Sequence, residues 1–118
     1  MTVEDLIGEY TIVGKNQDLE ASQYSGTLKL TLNEHNRIEA SWTIGTDQKQ
    51  FGTGFFKNNI LVINFYYKAE HSIFKGVAVY KCLTKDVLEG FWSEKYGDPN
   101  FLGEEHCFRK GSRKESLN

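Results

Sequence analysis

Apolar and polar residues alternate along most of this chain, and turn-forming residues interrupt the alternation about every 10 to 15 positions. Such spacing is typical of a β-sandwich or a β-barrel. Because no segment between the predicted strands is long enough for a crossover helix, neighbouring strands are expected to pair antiparallel. We therefore predict an all-β fold, an eight-stranded antiparallel up-and-down (meander) barrel. The predicted strands span roughly residues 6–14, 24–33, 37–45, 49–57, 60–68, 73–83, 87–94 and 101–109.

The predicted hairpins support this pairing, because each register gathers apolar residues on one face. Placing Leu32 opposite Ile38 brings Leu28 opposite Trp42, while polar residues fill most of the positions between them. Asn58-Asn59 is suited to a two-residue turn, since asparagine tolerates positive φ. A slip of one residue would turn the whole apolar set outward. These registers therefore predict one inner face that continues across the sheet.

Glycine recurs on the predicted inner face. A glycine inside a strand normally weakens that strand, but glycine also permits the sharp coiling that a small closed barrel needs. Alternatively, some of these glycines only relieve crowding against large aromatic side chains. Both interpretations indicate a tightly curved sheet, and eight strands enclose an interior that side chains fill or that holds one small ligand. The glycines are Gly8, Gly26, Gly52, Gly54, Gly76, Gly90 and Gly103.

The length of 118 residues corresponds to one domain. We predict a single barrel over residues 1–110, followed by a polar C-terminal tail over residues 111–118. Thr2 and Asp5 have the spacing that caps a helical turn ahead of the first strand. The segment from Lys15 to Gln23 is the only long connection that the pattern predicts.

Charge and cysteine usage narrow the expected partners and compartment. The formal net charge is −2. Nucleic-acid binding needs a concentrated basic face, so nucleic acid is not an expected partner. The basic segment 109–114 is expected to be a solvated terminus. No apolar run approaches the length of a membrane span, and residues 1–5 lack the features of a signal peptide. Cys82 and Cys107 are expected to be buried thiols, with a disulfide as the less favoured alternative. We expect a cytoplasmic protein without nucleic-acid partners or a membrane span.

Short motifs at the two ends of the chain resemble those of a known group of barrels. Gly8-Glu9-Tyr10 resembles the Gly-x-Trp motif of the calycins, the group that includes lipocalins and avidins. Arg109 resembles the arginine that closes over the aromatic ring of that motif. The resemblance implies a calycin-like barrel in which Arg109 packs over Tyr10. It does not favour biotin as the ligand, because avidins surround biotin with several tryptophans and this chain has two.

The sequence also resembles a family of small, mostly uncharacterised bacterial barrel proteins. Members of that family carry a Gly-x-Asn start, a Ser-x-Tyr-x-Gly entry to the second strand, a Trp-x-Ile third strand, and Gly-x-Trp followed by Gly-x-Glu near the end. This resemblance implies a barrel without implying an activity. The matching segments are Gly14-Lys15-Asn16, Ser22-Gln23-Tyr24-Ser25-Gly26, Trp42-Thr43-Ile44, Gly90-Phe91-Trp92 and Gly103-Glu104-Glu105.

Glu105 is the most informative single residue for function. Alternation places it inside the barrel, beside Gly90, which leaves room for it. A buried carboxylate is costly unless it is paired or hydrogen-bonded. Glu105 is therefore expected either to anchor a polar group of a ligand in an apolar barrel or to have a structural role. The structural alternative, which we favour, is a pair with Arg109 or a hydrogen bond from Tyr10, Tyr24 or Tyr80.

Large aromatic residues share the inner face with Glu105 and would form the walls of a ligand site. Aromatic residues at strand spacing are more often plain core, so a filled barrel is the alternative. The leading hypothesis is a non-enzymatic barrel that binds a small hydrophobic or amphipathic molecule. Its predicted ligand-binding residues are Tyr24, Trp42, Tyr80, Trp92, Glu105 and Arg109.

Apolar residues also cluster on the predicted outer face of the fourth to sixth strands. A clustered apolar patch on a soluble barrel usually marks an interface. We expect a homo-oligomer contact there, and the alternative is cover by a terminal segment. The rival functional hypothesis is thus a protein–protein interaction module with a filled barrel. The predicted interface residues are Phe51, Phe55, Val62, Tyr66, Val77 and Val79.

The sequence offers little support for an enzyme. His35, His71 and His106 share no ligand spacing, so we predict neither a metal site nor a cofactor. No nucleophile elbow or phosphate loop occurs. Glu94 and Glu105 share a face, but a catalytic carboxylate pair there has no further support. A small barrel isomerase or lyase is the weakest of the three hypotheses.

Overall fold

Each predicted strand forms because its alternating apolar side chains have a common interior to face. The computed structural model describes residues 1–112, in which eight antiparallel strands close into a barrel in sequence order. The strand limits lie within two residues of those predicted from the alternation. A 3₁₀ helix at Val3–Leu6 precedes the strands β1 (Gly8–Lys15), β2 (Gln23–Leu32), β3 (Ile38–Ile44), β4 (Gln48–Lys57), β5 (Ile60–Ala69), β6 (Ser72–Thr84), β7 (Val87–Glu94) and β8 (Gly103–Arg109).

The predicted registers are confirmed. Leu28 pairs with Trp42 across β2 and β3, and Phe56 pairs with Leu61 across β4 and β5. Asn58 and its neighbour Asn59 have φ angles of 53° and 63°, as the tight turn between β4 and β5 requires. The prediction of a single long connection was wrong, because β8 begins later than expected and residues 95–102 form a second one.

The 3₁₀ helix closes one end of the barrel, which we call the closed end. The backbone N–H of Thr2 donates to the Asp5 carboxylate over 2.8 Å, so the predicted cap is present. Leu6 is fully buried, and its carbonyl accepts a 2.8 Å hydrogen bond from the Tyr10 hydroxyl. The Arg109 guanidinium carbon lies 4.9 Å from the centre of the Tyr10 ring, and its Nη2 donates to the Tyr10 hydroxyl over 2.8 Å.

Apolar side chains fill the half of the interior next to the closed end. Several are fully buried, including Leu30, Leu61 and Leu88. Cys82 and Cys107 are buried free thiols. The predicted tail, 111–118, lies outside the described residues from position 113 onward. The filled half of the barrel leaves the opposite end, where β1–β2, β3–β4, β5–β6 and β7–β8 connect, as the open end.

Two possible features are not found within residues 1–112. None of the helices there is long and apolar enough to cross a membrane. No group of three or more His, Cys, Asp or Glu side chains is placed to hold a metal ion in the same range.

Candidate functional site

A cavity of about 90 Å³ lies at the open end of the barrel. Aromatic rings form much of its wall, and neighbouring rings meet edge to face. Trp42 and Trp92 each lie about 6 Å from Phe65, at 6.1 and 6.2 Å between ring centres, and Tyr24 lies 6.5 Å from Trp92. Glu105 is also part of the lining. The barrel is thus filled at one end and hollow at the other.

Four side chains donate hydrogen bonds to the Glu105 carboxylate, which is only 4% exposed. Oε1 accepts from the Tyr80 hydroxyl at 2.6 Å and from Trp42 Nε1 at 3.1 Å. Oε2 accepts from the Tyr24 hydroxyl at 2.6 Å. The Cys107 thiol lies 3.9 Å from Oε1 and is a weaker donor. Short bonds to both oxygens are the condition under which a buried carboxylate is tolerated.

Two glycines let the tyrosines reach this carboxylate. Gly14 is the cross-strand partner of both Tyr24 on β2 and Glu105 on β8, and a Cβ added to Gly14 would collide with the Tyr24 ring. Gly90 likewise lies between Tyr80 on β6 and Glu105, and a Cβ added to Gly90 would collide with Tyr80. Each tyrosine therefore crosses a strand that carries no side chain in that row. We call these five residues the carboxylate row.

Trp92 extends the network to the mouth of the cavity. Its Nε1 donates to the Tyr24 hydroxyl over 2.9 Å. Because Tyr24 accepts this bond, its own proton is directed to Glu105. Gly103 makes room for the indole, since a Cβ at Gly103 would overlap the Trp92 ring. Both tryptophans of the chain therefore contact the network: Trp42 donates directly to Glu105, and Trp92 donates to Tyr24.

Burial dominates the proton equilibria of this network. It raises the pKa of Glu105, although the hydrogen bonds from Tyr24, Tyr80 and Trp42 act in the opposite direction. Burial, followed by the negative charge of Glu105, raises the pKa of the Tyr24 and Tyr80 hydroxyls above their usual range. The pKa of Cys107 is raised for the same two reasons. These donors therefore remain protonated at neutral pH.

A second acidic residue lies at the rim of the cavity. The Tyr67 hydroxyl donates to Glu94 Oε2 over 2.6 Å. Burial, followed by this hydrogen bond, raises the pKa of Tyr67. Both residues line the cavity with Glu105. Tyr67 was not among the predicted site residues, although alternation placed it on the inner face two positions beyond Phe65.

One side chain ties two connections together beside the mouth. Gln17, in the β1–β2 connection, donates to the Ser93 hydroxyl and to the Asp98 carbonyl, both over 3.0 Å. Its side-chain carbonyl accepts from the Glu94 backbone N–H at 2.9 Å. Both long connections therefore share one hydrogen-bonded edge at the open end.

The structure brings five of the six predicted ligand-binding residues to the cavity. Arg109 is the exception, because it points to the closed end, where its Nη1 donates to the Ile7 carbonyl over 2.9 Å and its Nε contacts Asp86 at 3.0 Å. The structural interpretation of Glu105 is confirmed through Tyr24 and Tyr80, which both donate to it, whereas Arg109 and Tyr10 bond to each other at the closed end. The residues at the cavity are Tyr24, Trp42, Tyr80, Trp92 and Glu105.

The predicted interface residues lie on the outer face of β4, β5 and β6. Phe51, Phe55, Tyr66 and Val77 are exposed, and Val62 and Val79 are half-buried. Cross-strand pairing aligns Phe55, Val62, Val79 and Phe91 in one row over four strands, which we call the outer row. Phe55 is 61% exposed and Phe91 is 48% exposed.

Comparison with known proteins identifies a fold and no family. No family profile and no curated protein matches the chain. A redesigned β-barrel superposes with a TM-score of 0.71 at 12% identity, over 91% of this chain and 93% of that one. A protein of unknown function from the DUF3598 family, from Nostoc punctiforme, superposes with a TM-score of 0.54 at 19% identity. That superposition covers 92% of this chain and 49% of the other, so this chain spans about half the length of that protein.

Proposed function

We propose that this protein is a non-enzymatic barrel that binds a small amphipathic molecule in the cavity at its open end. The observation that carries the proposal is the cavity itself, with aromatic walls and a hydrogen-bonded carboxylate at Glu105. An apolar pocket with a few convergent polar groups is the usual form of a small-molecule site.

The size of the cavity limits what it holds. Drug-sized ligands occupy pockets of roughly 300–1,000 Å³, and an engineered cavity of about 150 Å³ holds benzene. A volume of about 90 Å³ admits only a short chain or a small head group. A larger ligand would have to extend out of the open end of the barrel.

The hydrogen bonds of Glu105 favour binding over catalysis. Each carboxylate oxygen already accepts a 2.6 Å bond from a tyrosine. The pKa of each of those tyrosines is raised, so the hydroxyls stay protonated at neutral pH and do not act as bases. A carboxylate held in this way provides a fixed polar surface, whereas a general base needs an oxygen aimed at the proton that it removes.

The closed end supports membership of the calycin-like barrels. Tyr10 takes the aromatic position of Gly8-Glu9-Tyr10, and Arg109 lies over its ring, as that resemblance implies. The pair holds the 3₁₀ helix across the closed end through the carbonyls of Leu6 and Ile7. A ligand would then enter from the open end.

Titration of intrinsic fluorescence tests the proposal, because Trp42 and Trp92 both line the cavity and are the only tryptophans. The probes are n-butanol, n-butylammonium and n-butanoate, which combine a short chain with a small head group. At least one is expected to change the emission saturably, with a dissociation constant of roughly millimolar order, because ligands with so few atoms bind weakly.

A matched pair of variants locates the binding. Ala78→Leu adds volume inside the cavity, whereas Val77→Leu adds it outside the barrel on the neighbouring residue. Binding should be lost in the first variant and kept in the second. If none of the three probes binds, or if Ala78→Leu binds as the unchanged protein does, the cavity is not the ligand site.

The second candidate function is self-association through the outer row. The observation that favours it is the alignment of Phe55, Val62, Val79 and Phe91 on one exposed face. Sedimentation velocity should show an oligomer that Phe55→Glu dissociates, while Ser25→Glu, on the exposed face of β2, leaves it intact. A monomer at high concentration, or an oligomer that Phe55→Glu does not change, would remove this candidate.

A further inference from the structure

We infer that the cavity prefers an organic ammonium cation to neutral or anionic molecules of the same size. This inference rests on the proposed function and names the ligand class of the same site. A small primary amine that is protonated at neutral pH would be such a ligand.

The charge of the cavity lining is the first reason. Among residues 1–112, the ionisable groups that line the cavity are two carboxyl groups and three tyrosine hydroxyls, and none is Lys, Arg or His. The carboxyl groups belong to Glu105, at the inner wall, and to Glu94, at the rim. A cationic head group entering the cavity would therefore meet no positively charged side chain of the lining.

The lack of a counter-charge at Glu105 is the second reason. All four of its donors are neutral O–H, N–H or S–H groups. None of the ion pairs formed within residues 1–112 includes Glu105. Charges interact more strongly in a medium of low dielectric constant. A cation in the cavity would therefore offset the cost of burying this carboxylate, and an anion would increase it.

The aromatic wall is the third reason. Trp42, Phe65 and Trp92 surround the cavity together with Tyr24. The negative face of an aromatic ring attracts a cation, most strongly for tryptophan, and the attraction increases where water is excluded. An acidic group combined with several aromatic rings is the arrangement by which proteins recognise ammonium groups.

The three four-carbon probes test the preference directly, since they share one chain and differ in the head group. In the unchanged protein at neutral pH, n-butylammonium should bind at least about tenfold more tightly than n-butanol, and n-butanoate most weakly. Tryptophan emission reports all three titrations in the same way.

A matched pair of variants assigns the preference to the buried carboxylate. Glu105→Gln removes the charge inside the cavity, whereas Glu104→Gln removes the same charge from the exposed neighbouring residue. In Glu105→Gln the affinity for n-butylammonium should fall about tenfold, to near that of n-butanol, and in Glu104→Gln it should not change. Far-ultraviolet circular dichroism checks that both variants fold.

The outcomes separate the two proposals. If n-butanol or n-butanoate binds as tightly as n-butylammonium, the cation preference is overturned while the cavity remains a binding site. If no probe binds, the proposed function fails and the preference fails with it. Because the comparison of head groups uses the unchanged protein, it decides the question even if Glu105→Gln does not fold.

Discussion

Removing the Tyr80 hydroxyl isolates one hydrogen bond of the carboxylate row. Tyr80 is 1% exposed and its hydroxyl lies 2.6 Å from Glu105 Oε1. Tyr80→Phe keeps the ring that crosses Gly90 and deletes the donor alone. A hydrogen bond to a charged group contributes about 1.5–3 kcal/mol. We expect the free energy of unfolding to decrease by about that amount, which is a large share of a typical stability of about 5–15 kcal/mol.

Urea unfolding at neutral pH measures this change. With a slope of about 1–3 kcal/mol per molar urea, the midpoint should move down by about 1 M. The matched control is Tyr66→Phe, which deletes the same atom from a ring on the outer face that is 47% exposed. The control should lie within about 0.5 kcal/mol of the unchanged protein.

The comparison can refute the importance of the carboxylate row. If Tyr80→Phe unfolds within about 0.5 kcal/mol of the unchanged protein, the short bond to Glu105 does not stabilise the fold. The slope is a further check, because an altered slope would indicate a change in the unfolded or folded ensemble rather than the loss of one bond.

Three other perturbations address the pH dependence, the row and the closed end. The pKa of Glu105 in the folded protein is raised above its ordinary 4.5, so the folded state holds the carboxyl proton more tightly than the unfolded state does. The stability of the unchanged protein relative to Glu105→Gln should therefore fall as the pH rises from about 4.5 through the folded pKa. A difference in urea unfolding that does not vary with pH would contradict this. Gly14→Ala should displace the Tyr24 ring and destabilise the fold by about 1–3 kcal/mol; an unchanged thermal midpoint would show that the ring has other room. Arg109→Met should lower the thermal midpoint, because it removes donors to the Tyr10 hydroxyl and to carbonyls near the 3₁₀ helix. It should leave the binding of the three probes in the cavity unchanged. Altered probe binding would contradict the separation of the closed end from the open end.

Local alternation was sufficient to predict the strands and their neighbours. Side chains in a strand point to opposite faces with a period of two, so a register that mixes the faces is visible in the sequence alone. Leu28 opposite Trp42 and Gly90 beside Glu105 were both predicted in this way, and both pairs are present. The two-residue turn at Asn58 followed because few residue types adopt positive φ.

The partners of Glu105 could be predicted only as a set of alternatives. Tyr10, Tyr24 and Tyr80 all alternate inward, and the sequence does not show how far each lies from Glu105 along the barrel axis. Closure of β1 on β8 sets that distance. Tyr10 is registered with Arg109 at the closed end, whereas Gly14 is registered with both Glu105 and Tyr24. The role of Gly14 was therefore missed, since it depends on a pairing between the two ends of the chain.

The sequence by itself determined the all-β class, the number and order of the strands, the inward position of Glu105 and the apolar outer face, because each follows from residues that are close in the chain. Only the tertiary structure decided that the barrel is filled at the Tyr10 end and hollow at the Trp92 end. That division depends on how side-chain volumes from eight strands add up at each level of the barrel. The tertiary structure also placed Arg109 away from the cavity and both tryptophans beside the cavity, because the stagger of the strands sets the height of each inward residue along the barrel axis.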